Sequence, residues 1–209
     1  MINIQFLNKE RGFSMSKIKM PSSTLLSPVP AVMVTCGTKE EGINVITIAW
    51  TGIISSTPAK TYISVRPERH SYEIIKKSKE FAINLVSSDL ARATDLCGMK
   101  TGAKIDKFKE AHLTPEYVEE ADCPIISESP MSLICKVTDI VPLGSHDMFI
   151  ADISAVYADE KLMDEKGKLC ISRAHLAAYA HGEYYALGKR IGKFGFSVAK
   201  KRTKNPNKK

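Results

Sequence analysis

The sequence predicts a mainly β domain with satellite helices, a closed or partly closed barrel rather than an alternating α/β fold. Three observations lead there. Six or seven short segments rich in β-branched residues are separated by glycine, proline and polar turn signals. The helical patterns are brief and fall irregularly between those segments. The length of 209 residues, with 44% hydrophobic and 25% charged, is enough for one domain with a full core.

Residues 31–36 follow Pro28 and Pro30 and stop at Gly37, which reads as a strand. Beyond the turn-like stretch 38–42, residues 43–50 form a second apolar, β-branched run, so the pair reads as a hairpin. Residues 61–65 are another strand, stopped by Pro67, and residues 81–86 continue the strand pattern. Residues 133–141 and 148–156 form a second hairpin joined around 144–147. Of the helices, residues 72–77 start after Ser71, a good N-cap, with Glu73 early and Lys76 and Lys77 late, as the helix dipole prefers. Ser88 can cap residues 89–97, closed by Gly98, and a third helix is expected over 173–180.

Charge and cysteine content narrow the function classes. The net charge of +7 invites a nucleic-acid partner, but residues 189–209 hold nine basic residues and no acidic one. The remainder carries 21 basic against 23 acidic residues, a net of −2, so the basic character belongs to the tail and argues against nucleic acid as the partner. Five cysteines, an odd number without CxxC spacing, fit neither a disulfide framework nor a zinc site and suit a reducing cytoplasm. No apolar run approaches the ~20 residues of a membrane span, so no membrane partner is expected. The expected organisation is an N-terminal extension over 1–19, one domain over 20–197 and a solvated basic tail over 198–209. Residues 1–14 lack the apolar core of a signal peptide, and Met15 is an alternative start.

Several standard chemistries are missing from the sequence. There is no GxGxxG after a strand, no phosphate loop, no GxSxG turn and no HExxH helix, and the five histidines have no metal-ligand spacing. One segment instead concentrates hydrogen-bonding side chains. Asn44, Thr47, Thr51 and Ser55 surround Trp50, the only tryptophan. Arg66, Arg69, His70 and Ser71 then converge on a helix start, where free N–H groups and the helix dipole favour an anion. Paired arginines add bidentate oxyanion recognition. Together these features suit a phosphate with an aromatic ring attached.

The ordered runs 44–52, 63–71 and 80–85, followed by Cys97-Gly98, Asp106-Lys107-Phe108, Gly144-Ser145-His146-Asp147 and Tyr184-Tyr185-Ala186-Leu187-Gly188, resemble the flavin reductase-like proteins, and within them the flavoredoxin branch. The resemblance covers roughly residues 20–197. It implies a split β-barrel that binds FMN without a covalent bond, as a homodimer. It further implies an oxidoreductase that takes electrons from NAD(P)H or a reduced iron-sulfur or iron protein. Asn44, Thr47, Ala49, Trp50 and Thr51 would lie along the flavin. Arg66, Arg69, His70 and Ser71 would hold its phosphate and ribityl end, and Lys107 would approach flavin or phosphate. His146 would face the flavin and the incoming nicotinamide as the catalytic residue, although Ser145 and Met148 depart from the commoner Gly-Asp-His-Thr turn. No metal ligand is implied. A non-catalytic flavin- or haem-binding module on the same barrel is the alternative.

Overall fold

The computed structural model describes residues 17–199. The expectations for residues 1–14, for Met15 and for the tail from 200 onward lie outside the described residues. The chain runs through β1 (Val29–Pro30), β2 (Val32–Thr38), β3 (Gly42–Ile48), β4 (Thr51–Ser56) and β5 (Ala59–Val65) before its first helix, α1 (His70–Ser78). β6 (Glu80–Leu85) leads through a 3-10 turn to α2 (Ala91–Met99) and the one-turn α3 (Lys107–Glu110). The two-residue strands β7 (Pro115–Glu116) and β8 (Ile125–Ile126) precede the long pair β9 (Met131–Pro142) and β10 (Asp147–Ala158). β11 (Ala177–Ala180) and β12 (Glu183–Ala186) follow.

Seven strands form one antiparallel sheet in the order β3-β2-β6-β9-β10-β5-β4. Its edge strands, β3 and β4, are consecutive in the chain, so the sheet curls and stays open where β3 faces β5. The interior is packed by alternate residues: Val32, Val34 and Cys36 from β2, Ile46 and Ile48 from β3, Ile63 and Val65 from β5, with Phe81 and Phe149 fully buried. Period-2 alternation puts these on one face and Met33 and Val45 on the other. That second face is also buried, beneath Leu90, Cys97 and Phe108 of the helical segments. Truncating a buried phenylalanine here would cost about 3–5 kcal/mol. Tyr72 and Ile75 of α1 join the interior, so α1 plugs one end of the barrel. Asn84, wholly buried, spends its amide on Met33 O (3.0 Å) and Thr35 Oγ1 (3.1 Å), while its carbonyl accepts from Ile126 N (2.9 Å) and Ser132 Oγ (2.7 Å). Every partner is satisfied, which is how an interior tolerates such a group.

The sequence-read strands and both hairpins stand where expected, with four departures. Residues 173–180 are not a helix: a 3-10 turn over Ile171–Ala174 gives way to β11, which pairs with both β1 and β12. Cross-strand pairing overrides the helical propensity of an alanine-rich stretch. β4 was unforeseen, and it is an edge strand with Ile53 and Ile54 exposed. Gly98 lies inside α2 and does not close it, and Ser88 belongs to the 3-10 turn before it. Ser71 does not cap α1: Arg69 is the N-cap residue, in extended geometry, and Ser71 sits in the first turn.

Candidate functional site

Where β3 faces β5 the barrel opens into a cleft of two adjoining chambers with volumes of about 390 and 310 Å3. Ligand sites commonly span ~300–1,000 Å3. Ile46, Arg66, Arg69 and Gly98 line both chambers and join them.

The smaller chamber is cationic. The chain leaves β5 at Val65 and makes a tight turn, with Arg69 N donating to Arg66 O (3.0 Å) and Tyr72 N to Arg69 O (2.9 Å). α1 therefore begins beside both guanidinium groups. No side chain caps its start, which leaves its first N–H groups available to a ligand. Arg66 shares its charge with Glu68 at 3.5 Å, whereas Arg69 has no ion-pair partner among the described residues. His70, Lys100 and Lys107 add to the lining. Ser71 Oγ accepts from Asn44 Nδ2 at 2.7 Å, and both residues are buried. That bond ties β3 to the helix start. Gly102 packs so closely on Asn44 that a Cβ there would overlap its amide. Lys107 Nζ donates to Val45 O (2.8 Å) and Cys97 O (2.7 Å). Burial pushes its pKa down, and the nearby Arg69 guanidinium acts the same way.

The larger chamber is aromatic. Trp50, in the link between β3 and β4, is 41% exposed, and its ring lies 4.4 Å from that of His146 at a tilt of 39°. His146 ends the β9–β10 turn. Gly144 turns the chain there at φ +89, which glycine adopts without strain, and Leu143 N donates to His146 O at 3.0 Å. Ser145 Oγ lies 2.9 Å from His146 Nδ1. Burial lowers the His146 pKa, Arg66 and Arg69 lower it further, and Glu68 opposes them, so the imidazole is neutral at pH 7. Thr47 lines this chamber too, its hydroxyl donating to Thr94 O, and Ala49 lies beside it. Tyr179 and Tyr184, edge to face at 5.4 Å, line the same chamber, with Asp95 on α2. Burial raises the Tyr184 phenol's pKa, as does the nearby Asp95 carboxylate.

Of the eleven residues that the resemblance assigns to the site, ten line the cleft. Asn44, His70, Ser71 and Lys107 belong to the cationic chamber and Thr47, Ala49, Trp50 and His146 to the aromatic one, while Arg66 and Arg69 serve both. Thr51 does not line it, because its hydroxyl donates to Tyr62 O at 2.6 Å across the β4–β5 pair. Sequence reasoning passed over Asp95, Met99, Tyr179 and Tyr184 as lining residues. Tyr184 was the findable one, since it opens a stretch shared with the family. Among the described residues no cluster of His, Cys, Asp or Glu could hold a metal ion. Among them, too, no helix is long and apolar enough to cross a membrane.

The flavin reductase like domain family matches residues 25–188, the span that contains the whole barrel and both chambers. The chain belongs to the flavin reductase-like family. Flavoredoxin of Desulfovibrio vulgaris (Miyazaki F) superposes with a TM-score of 0.81 at 29% identity, over 88% of this chain and all of that one. An uncharacterised protein of Pyrococcus abyssi is 27% identical over 172 residues, 82% of this chain and 98% of its own. An FMN reductase (NADH), RutF of Acinetobacter baylyi, is 20% identical over 103 residues, covering 49% of this chain and 53% of the relative. As a flavin reductase-like split barrel, the protein carries its cleft within the part that defines the family.

Proposed function

We propose that the protein is an FMN-binding oxidoreductase of the flavin reductase or flavoredoxin type, passing electrons from NAD(P)H or a reduced iron protein to an acceptor. The observation that carries this reading is the division of one cleft into a cationic and an aromatic chamber. FMN has the matching division, a phosphate at one end and a tricyclic ring at the other. Two arginines, a lysine and an uncapped helix start are the donor set a phosphate requires. A chamber walled by Trp50, His146, Tyr179 and Tyr184, with hydrogen-bonding groups among them, suits a planar heteroaromatic ring.

Bound FMN would supply the hydride and one-electron chemistry, leaving binding and orientation to the chain. Arg69 and Arg66 would bind the anionic end, and Lys107, held by two carbonyls, adds a fixed positive charge behind them. Trp50, Ala49 and Thr47 would border the ring, and the neutral His146 imidazole would present a hydrogen-bonding nitrogen to a donor entering the same chamber. Tyr179 and Tyr184 would limit water in the same chamber. The exposed side chains of Ile191, Phe194, Phe196 and Val198 support assembly as a homodimer, with one split-barrel domain per chain.

Purified protein should take up FMN to a flavin absorbance spectrum. Anaerobic mixing with NADH, NADPH and a reduced ferredoxin, run in parallel, should bleach that spectrum with at least one of them. A protein that takes up no added FMN refutes the reading. A bound flavin that none of the three donors reduces identifies a non-catalytic flavin module instead.

A further inference from the structure

The helix that opens the cationic chamber also reaches the turn that carries His146. Tyr72 follows Ser71 in α1 and is only 6% exposed. Its ring stands edge-on to Phe149 at 5.4 Å, with Lys76 Nζ 5.5 Å from its centroid. Its hydroxyl donates to Asp147 Oδ2 at 2.5 Å. Asp147 is the first residue of β10 and directly follows His146. The turn before it is weakly held, for residues 142–145 are exposed and one backbone bond, Leu143 N to His146 O, closes it. Among the described residues, the Tyr72–Asp147 bond is the one side-chain hydrogen bond from this turn to another element. A neutral donor to a carboxylate makes a strong bond, and burial of the phenol shields it from water.

We propose that Tyr72, acting through Asp147, is a positioning residue that holds the His146 ring against Trp50 and so fixes the aromatic chamber relative to the helix start of the cationic one. The positional claim needs no cofactor. Its consequence for electron transfer rests on the FMN reading above.

Trp50 is the only tryptophan and lies against His146, so its emission reports this contact in the protein without flavin. Protonated imidazole quenches an adjacent indole, and neutral imidazole does so far less. The charged groups around His146 are Arg66, Arg69 and Glu68 from the β5–α1 turn, with Asp147 next in the chain. Wild-type emission should therefore fall on acidification, and His146→Ala should abolish that fall. Tyr72→Phe keeps the packing on Phe149 but loses the hydroxyl. It should cut the quench amplitude, measured between plateaus, at least twofold. Asp147→Ala should act alike, and Asp147→Asn, which keeps an acceptor for Tyr72, should restore the amplitude even if its midpoint moves. Circular dichroism establishes that each variant is folded, and Asp147→Ala carries the comparison if Tyr72→Phe is not. Full amplitude in both Tyr72→Phe and Asp147→Ala overturns the proposal, as does a wild-type quench that survives His146→Ala. With FMN added, Tyr72→Phe should raise KM for the electron donor at least threefold while FMN affinity stays within twofold. A protein that binds no FMN ends the flavin reading yet leaves the Trp50 measurement decisive for the Tyr72 link.

Discussion

Arg69→Ala tests the cationic chamber most directly. Arg69 lines both chambers and has no carboxylate within ion-pair distance among the described residues, whereas Arg66 already shares its charge with Glu68. Its guanidinium is therefore available in full to a ligand anion. A hydrogen bond to a charged group contributes about 1.5–3 kcal/mol. At ~1.4 kcal/mol per tenfold in affinity, its loss weakens FMN binding about 10- to 150-fold. Arg66→Ala should cost less, because the wild-type guanidinium is half exposed and partly neutralised by Glu68. The assay is a titration followed by flavin fluorescence, run in parallel with FMN and with riboflavin, which has the same ring but no phosphate. Arg69→Ala should reduce FMN affinity and leave riboflavin affinity within twofold. Unaltered FMN affinity, or equal losses for both ligands, would refute the assignment of the phosphate to this chamber.

Ser71→Ala leaves the buried Asn44 amide without its acceptor and should destabilise the fold by about 1–3 kcal/mol, read by urea unfolding. Gly102→Ala should cost about the same, by forcing a methyl group into the Asn44 side chain; a neutral result for either would show that the β3–α1 tie is dispensable. Glu80 gives a pH prediction. Burial works to raise its pKa, but Lys136 and the Cys123 amide outweigh burial and lower it below the ordinary 4.5. A carboxyl depressed in the folded state adds stability above its unfolded pKa and loses it as pH falls through the folded one. Stability should thus decline below about pH 4.5, and Glu80→Gln should flatten that decline; an identical acid profile in the variant counts against the ion pair. Finally, burial pushes the thiols of Cys97 and Cys36 up to about 11 and 12, Cys135 to about 12, and Cys123 higher still. At pH 8 only Cys170 should react promptly with an aromatic disulfide reagent, the other four appearing on unfolding; rapid reaction of several thiols in the native protein would contradict this packing.

The strands of the barrel were legible because each repeats β-branched residues at period 2 between clear turn signals, as β2 and β3 do. β4 was not, since its hydroxyl-rich sequence buries almost nothing and is held by pairing with β5. β11 was misread because its alanines favour a helix when isolated, and the pairing with β1 and β12 that decides otherwise comes from 150 residues away and from the next turn. The same divide runs through the site. Arg66, Arg69 and His70 could be read together because six residues of chain carry two cations to one helix start. Asp95 and Tyr179 share a chamber with Trp50 only through the closure of the fold, and nothing in their own neighbourhoods marks them. Ser71 shows how a correct location can carry a wrong role: the hydroxyl sits at the helix start, but Asn44 claims it.

The order in which the cleft's walls occur along the chain gives it a history during synthesis. Every residue that would grip the anion has been translated by position 107, whereas the tyrosine wall arrives with β11 and β12, at 177–186. At ~5–20 residues per second, a ribosome needs several seconds to cover the interval. A chain ending between β10 and β11, with the seven-stranded sheet complete, would expose a basic half-groove without its tyrosines, and the last strands to emerge decide when the pocket closes.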